Sequence, residues 1–329
     1  MKAHRVLPAL LISLAFIAVL LVYLHSPGSP GGSTSEIHVR LIVSRDFGST
    51  VILEEALTLE EDATALEALR IVSDVEATYG GRFVTSINGF ERGGMDGVQV
   101  DWLYYINGFL APVGAADYIL REGDVERWDL HPWSSLPMAS AIIGDYPEPF
   151  LHGYGGDRYP TLILYSDDFR SEAESLEGHL SSLGVEAYLK PMGEAVLGDE
   201  SLGRFNLIII GYFKDDLPIK LYEIHDRLGY YAYYDKGGVV HALDWRGSLH
   251  SFEGDPDLSL IQASRNPWSL GGTSATSRAA WLITGSTPDS VGSAVEALIQ
   301  GKTSNLHGLL MVDGEYEPLP LSPREEGEP

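Results

Sequence analysis

The stretch from Trp102 to Trp128, WLYYINGFLAPVGAADYILREGDVERW, constrains the fold of this chain more than any other. Two runs in it, Trp102 to Ile106 and Val125 to Leu130, carry the β-branched and aromatic residues of strands. Asn107-Gly108 supplies the positive φ of a tight reversal, and Glu122-Gly123-Asp124 marks a second turn. Alternation sets Trp102, Tyr104 and Ile106 on one strand face and Leu103 and Tyr105 on the other, so one set is expected in a core and the other open to a ligand. The loop from Phe109 to Tyr118 is built of small residues. Gly114, Ala115 and Ala116 would let a flat ligand approach the backbone, with Asn107 and Asp117 as polar contacts. The plainer reading of the same loop is a crossover where strands pack closely.

Upstream, EIHVRLIVS places Ile37, Val39, Leu41 and Val43 on one strand face. Asp46 to Ser49 turns it into a second strand, Thr50 to Leu59. A helix is expected to follow, with capping-box spacing at Thr64 and Glu67, a stripe through Leu66, Leu69, Val72 or Ile71, and Val75, and an end at Gly80-Gly81. Phe83 to Ile87 reads as a short strand. A hairpin, a helix packed across it and further strands make an α+β domain of β-grasp type over residues 36–133.

The run W-x-Y-x-I-N-G, then G-A-A-D-Y-x-L-x-x-G-D, then W resembles the C-terminal β-domain of the transcobalamin and intrinsic factor family, with its bacterial and archaeal relatives in surface proteins. The resemblance rests on Trp102, Tyr104, Ile106, Asn107, Gly108, Gly114 to Tyr118, Leu120, Gly123, Asp124 and Trp128. It implies a corrinoid as bound ligand, because that domain covers one face of the vitamin in the animal family. The separate helical barrel that holds the other face there has no counterpart in this sequence. A corrinoid needs a broad apolar rim and hydrogen bonds to its peripheral amides, for which the candidates are Trp102, Tyr104, Tyr105, Asn107, Phe109, Gly114, Ala115, Ala116, Asp117 and Tyr118.

Residues 134–159 are rich in Pro and Gly, yet Tyr146, Phe150, Tyr154 and Tyr159 are too many aromatics for an idle tether, and order against a neighbouring domain is expected. His152 in this linker has an imidazole able to ligate a metal or a corrinoid cobalt, although ordinary loop hydrogen bonding is the commoner use. From residue 160 to 312, continuous apolar strands (TLILY, NLIIIGYF, AAWLITG) alternate with amphipathic helices, and Gly237 to Leu243 reads as another buried strand. That alternation predicts a parallel, three-layer, flavodoxin-like α/β domain. NPWS with AAWLITGS also resembles α/β modules of cell-surface proteins. Residues 313–329 read as a polar, frayed tail.

Acidic residues outnumber basic ones by 47 to 22 and give a formal charge of -25, which disfavours nucleic acid and anionic surfaces as partners. The cysteine count is 0, so disulfides, thiolate metal sites and cysteine nucleophiles are excluded. Lys2 and Arg5 precede an uncharged run from Val6 to Leu24, followed by breaker-rich SPGSPGGSTS. This pattern predicts a signal anchor or signal peptide over 1–25 and a flexible tether over 26–35, with the rest outside the cytoplasm, anchored in the membrane or secreted.

The sequence lacks G-x-S-x-G, H-E-x-x-H, a Walker loop and a complete G-x-G-x-x-G after a strand, so no enzyme is expected. Asp167-Asp168 and Asp215-Asp216 each follow a predicted strand, which would gather four carboxylates at the carboxyl edge of a parallel sheet for Mg²⁺ or Ca²⁺. His241 and Asp244 are candidates to join them. Capping of the following helices is the simpler role for such pairs. Tyr230 to Tyr234 could stack on sugars or pack a helix end into the core. The sequence thus points to ligand capture, with a corrinoid taken up for a membrane transporter, against the alternative of a structural or glycan-binding envelope protein.

Overall fold

β1 (Glu36–Arg45) and β2 (Thr50–Glu60) meet through a turn in which Asp46 and Phe47 both take positive φ, 58° and 59°. The computed structural model describes residues 35–95, 97–193, 199–253, 257–269 and 277–323. The expected anchor over 1–25, and the tether up to residue 34, lie outside the described residues. No helix among the described residues is long and apolar enough to cross a membrane.

α1 (Ala65–Val72) opens on a complete capping box: Glu67 N donates to Thr64 Oγ1 at 3.3 Å and Thr64 N donates to the Glu67 carboxylate at 2.8 Å. The helix is shorter than its expected end at Gly80. Asp74 N donates to Asn88 Oδ1 at 2.9 Å, and Asn88 N donates to Asp74 O at 2.8 Å. This exchange draws the chain into β3 (Val75–Thr78), which pairs with β4 (Phe83–Ile87), itself paired with β5 (Phe90–Glu91). Val75 therefore sits in a strand, where its β-branched side chain is at home.

β6 (Gly93–Met95), β7 (Val98–Ile106), β8 (Phe109–Leu110) and β9 (Val125–Pro132) complete the first large sheet, ordered β2-β1-β9-β7-β6 with β8 on β7. β9 runs parallel to β1 and antiparallel to β7. Asn107 (φ 50°) and Gly108 (φ 75°) form the expected reversal between β7 and β8. One face of this sheet packs on α1: Ile37, Val39, Leu41, Val43, Trp102, Tyr104, Ile106 and Trp128 meet Leu66 and Leu69. Each such side chain contributes roughly 1.5–3 kcal/mol by leaving water.

The second large sheet uses β10 (Thr161–Tyr165), β11 (Ala187–Pro191), β12 (Asn206–Tyr212), β16 (Leu258–Arg265), β17 (Ala279–Gly285), β18 (Gly308–Val312) and β19 (Glu315–Leu319). Its order is β11-β10-β12-β17-β16-β18-β19. α2 (Arg170–Ser182) and α5 (Pro288–Ile299) cover one face. The other face carries α3 (Asp216–Tyr222), α4 (His225–Leu228) and a separate three-stranded sheet of β13 (Ala232–Tyr234), β14 (Val240–Leu243) and β15 (Leu249–Phe252).

This arrangement corrects the expected fold class, a β-grasp-like α+β domain followed by a three-layer flavodoxin-like domain. Strand dominates, in several sheets: the described residues hold nineteen strands against five α-helices. β16 pairs antiparallel with both β17 and β18, and β19 is antiparallel to β18, so the second sheet is mixed. β14, read from sequence as a strand of a parallel sheet, belongs to the small antiparallel sheet instead. A continuous apolar run reports burial on both faces, and burial is the same whichever direction the neighbouring strand runs. β19 extends the sheet past residue 312, with Leu319 and Leu321 buried.

The described residues from Ile37 onward form one compact unit. Phe47 and Phe109, from the first half, insert into the two cores of the second. Ala139, Ala141, Ile143 and Phe150 of the 134–159 segment are buried in the same cores. Between the halves lies a polar seam on the face of the first sheet opposite α1. Arg127, fully buried, donates from Nε and Nη2 to Asp145 Oδ1 at 2.9 and 2.6 Å, and from Nη2 to Asn305 Oδ1 at 3.0 Å. Asp129 accepts from His131 Nδ1 (2.7 Å), Phe47 N (3.0 Å), Ser44 Oγ (2.6 Å) and Gly48 N (2.9 Å). Burial opposes its charge, but these donors win and hold its carboxyl at about 2. Glu126, on the α1 side, is also enclosed, and there burial pushes the carboxyl well above its usual range despite a bond from Trp128 Nε1 at 2.6 Å.

Candidate functional site

The expected ligand-binding residues divide into a buried set and a rim of half-buried and exposed residues. Trp102, Tyr104, Tyr105, Asn107, Phe109, Ala115 and Tyr118 are all buried. Trp102 Nε1 donates to Phe90 O at 2.9 Å, Tyr104 OH donates to Val113 O, and the Tyr104 ring stacks on Trp128 at 4.8 Å. Alternation along β7 holds, with Trp102, Tyr104 and Ile106 toward α1. The opposite face is not open, however, because Tyr105 packs edge-on against His307 in the seam. Arg265 lies over the Phe109 ring, 4.8 Å from its centroid.

Asn107 is a structural knot. Its Nδ2 donates to Asp124 Oδ1 at 2.7 Å and to Gly153 O, and its Oδ1 accepts from Val125 N at 2.7 Å. Asp124 also accepts from Tyr118 OH at 3.2 Å and from Arg121 N at 3.0 Å. Burial outweighs these donors and raises its carboxyl to about 6. Gly155 N donates to Tyr118 OH at 3.1 Å, tying the 134–159 segment to the same knot.

The rim consists of Gly114, Ala116 and Asp117 with the loop at residues 79–82. Gly114 is needed by close approach, since a Cβ there would lie 2.7 Å from Arg82 Cβ. Arg82 Nε and Nη2 donate to the two oxygens of Asp117 at 2.6 and 3.1 Å, which lowers the Asp117 carboxyl pKa. Tyr79 stands at the start of this loop, 81% exposed and at φ 52°. Val113 (44%) and Ile119 (52%) are the exposed apolar residues on the facing loop. Sequence reasoning missed Tyr79, which it had assigned to a helix end. Its position directly before Gly80-Gly81 was the available signal.

His152 lies apart from the rim. Its Nδ1 pairs with Glu148 Oε1 at 2.5 Å, and this bond raises the imidazole pKa. Together with His38, Arg40, Leu57 and Leu151 it borders a shallow cavity of about 370 Å³. Its Nε2 lies against Gly123, only 2.5 Å from where a Cβ would stand.

The paired aspartates do share one sheet edge, since β10 and β12 are parallel neighbours. Asp215 accepts from Tyr212 N at 2.8 Å and from Ser166 Oγ, and Asp168 accepts from Tyr212 OH at 2.9 Å. Asp167, Asp168 and Asp216 are exposed. His241 and Asp244 are held away from that edge in the small sheet, where His241 Nε2 pairs with Asp235 Oδ2 at 2.9 Å and Asp244 with His250 at 3.1 Å.

A larger cleft, about 720 Å³, opens between α3, α4 and the small sheet. The His225 ring stacks on Tyr233 at 3.8 Å, and Tyr234 stacks on Phe213 at 5.5 Å. Lys214, Glu223, Asp235 and Lys236 supply charge around it. Tyr230 and Tyr231, from the same aromatic run, are core residues.

A family model described as a domain of unknown function (DUF4430) matches residues 62–132, inside the interval that resembles the transcobalamin β-domain. No curated protein matches the chain. Among solved structures, a protein from Ruminococcus gnavus ATCC 29149 described as a candidate metal-binding protein aligns with 22% identity, over 30% of this chain and 98% of that one, with a TM-score of 0.24. Haptocorrin in complex with Cbi aligns with 17% identity, over 33% of this chain and 28% of that one, with a TM-score of 0.26. The chain thus spans less than a third of haptocorrin's length, and likenesses at these scores define neither a fold nor a ligand.

Proposed function

We propose that this chain is an extracytoplasmic ligand-binding protein without catalytic activity, held at the membrane by residues 1–25, and that its ligand is a corrinoid passed on to a membrane transporter. The observation that carries this reading is Tyr79, an aromatic residue held in a left-handed conformation and turned out to solvent. Such a conformation costs a bulky residue about 1–2 kcal/mol, and strain of this kind concentrates where a ligand is clamped. Beside it lies a surface where Gly114 packs under Arg82 and the exposed Arg82–Asp117 pair offers donors and acceptors for peripheral amides. The buried aromatics Trp102, Tyr104 and Tyr118 act as the support of that surface. The test is a cobalamin titration of the full chain, followed by absorption and calorimetry. Saturable binding that weakens about tenfold or more in Tyr79→Asn supports the reading; no spectral or heat change at high cobalamin concentration sinks it.

A second reading rests on the cleft at Tyr233 and His225. Its volume suits a small-molecule site, and aromatic rings bordered by Glu223, Asp235 and lysines suit a saccharide. Retention of the protein on cell-wall polysaccharide, lost in Tyr233→Ala, would favour this function over corrinoid capture.

A further inference from the structure

Three side chains converge at the seam between the halves of the fold. Asp129 and His131 come from β9, and His307 comes from the residue just before β18. One ligand atom from each lies within 4.8 Å of the others, and all three residues are buried. His307 adds an independent observation: neither of its ring nitrogens has a hydrogen-bond partner. A buried imidazole with both nitrogens unpaired is costly, and folded proteins seldom leave one so without a ligand.

We propose that Asp129, His131 and His307 bind a divalent transition-metal ion of the zinc class. Imidazole nitrogen and carboxylate oxygen are donors suited to such an ion. His131 Nδ1 and Asp129 Oδ1 face one another at 2.7 Å, so an ion taking the place of the proton between them would have both as donor atoms. Ser44 Oγ, Phe47 N and Gly48 N brace the carboxylate in turn. Phe47 stacks on His131 at 4.4 Å and meets His307 edge-on at 5.3 Å, while Tyr105 meets His307 at 5.4 Å. These rings form a dry wall that excludes competing water. Metal–ligand bonds of about 2.0–2.2 Å place tetrahedral donors roughly 3.4 Å apart, so the three side chains must adjust by about 1 Å to hold the ion. The ion would clasp β9 to the strand that begins at Gly308, joining halves that also meet through Arg127, Asp145 and Asn305 and through the inserted Phe47 and Phe109. This site is distinct from the paired aspartates at the edge of the second sheet and does not depend on the corrinoid reading.

The experiment is metal analysis of the purified full chain, then Zn²⁺ titration by calorimetry and thermal melting. One equivalent of Zn²⁺ per chain and a melting temperature that rises with Zn²⁺ are expected, with affinity falling on the order of 100-fold in His307→Gln. No uptake at saturating Zn²⁺ overturns the proposal, as does uptake that is unchanged in His307→Gln, which would assign the ion to surface histidines such as His38. If that variant does not fold, histidine ring ¹⁵N shifts in the native protein decide. Movement of both His131 and His307 on adding Zn²⁺ supports the site, and stationary signals refute it.

Discussion

β9 shows two solutions to burial on one strand. Toward α1 it presents Trp128 and Leu130 to an apolar core, while toward the second half it presents Arg127, Asp129 and His131, equally enclosed but bound in a polar network. The first face gains stability from the area it removes from water. The second must repay the desolvation of its charges through specific partners, and it does so incompletely: Arg127 Nη1, Asp145 Oδ2 and Tyr105 OH have none. An apolar face tolerates many neighbours of the right volume, whereas a charged face accepts only the one arrangement that pairs it. The seam therefore contributes more to how the halves are registered than to how tightly they hold.

Arg127→Ala probes this contrast most strongly. It strands the Asp145 carboxylate and should cost about 3–5 kcal/mol in denaturant unfolding, yet the double change Arg127→Met with Asp145→Leu should come within about 1 kcal/mol of the native protein. A double variant as unstable as the single one would mean that the pair is a net source of stability. On the other face, Trp128→Ala should also cost about 3–5 kcal/mol, with no second substitution at a charged position recovering it.

At the start of β9, Asp124 tests how burial acts on a well-bonded carboxyl. Its folded value of about 6 lies above the unfolded 3.8, so the native state keeps the proton longer. The stability this confers is full below pH 3.8 and is lost as pH rises through about 6, a change on the order of 3 kcal/mol. Asn107, Tyr118, Arg121 and the Glu148 carboxylate face this group. Unfolding midpoints across pH 3.5 to 7 should show the decline, and Asp124→Asn should flatten it. Thr64→Ala, which opens the capping box on the apolar side, should cost about 1 kcal/mol, measured as a small fall in melting temperature.

The local features of the chain were legible where short-range chemistry decides them. The capping box at Thr64 and Glu67, the reversal at Asn107-Gly108 and the alternation in β1 and β7 all follow from residue type and spacing. β16 escaped notice because LSLIQASR mixes apolar and polar residues without a clear period, although every one of them is buried. The aromatics of Trp102 to Tyr118 showed strand content, but not that both faces of their strand would be covered. His307 carried no signal at all, since its neighbours in sequence belong to an ordinary loop and strand.

By itself the sequence determined where β1 and β7 run, where β7 turns at Asn107-Gly108, where α1 is capped, and that cysteine chemistry plays no part. Those properties depend on backbone preferences and side-chain types within a few residues. Only the tertiary structure decided that β16 runs antiparallel, that residues 315–319 form a strand rather than a tail, and that Tyr79 is exposed while Tyr105 is not. It alone brought His307 beside Asp129 and His131. Burial and pairing between distant segments depend on how whole layers stack, and a one-dimensional pattern of apolar and polar residues is the same for many such stackings.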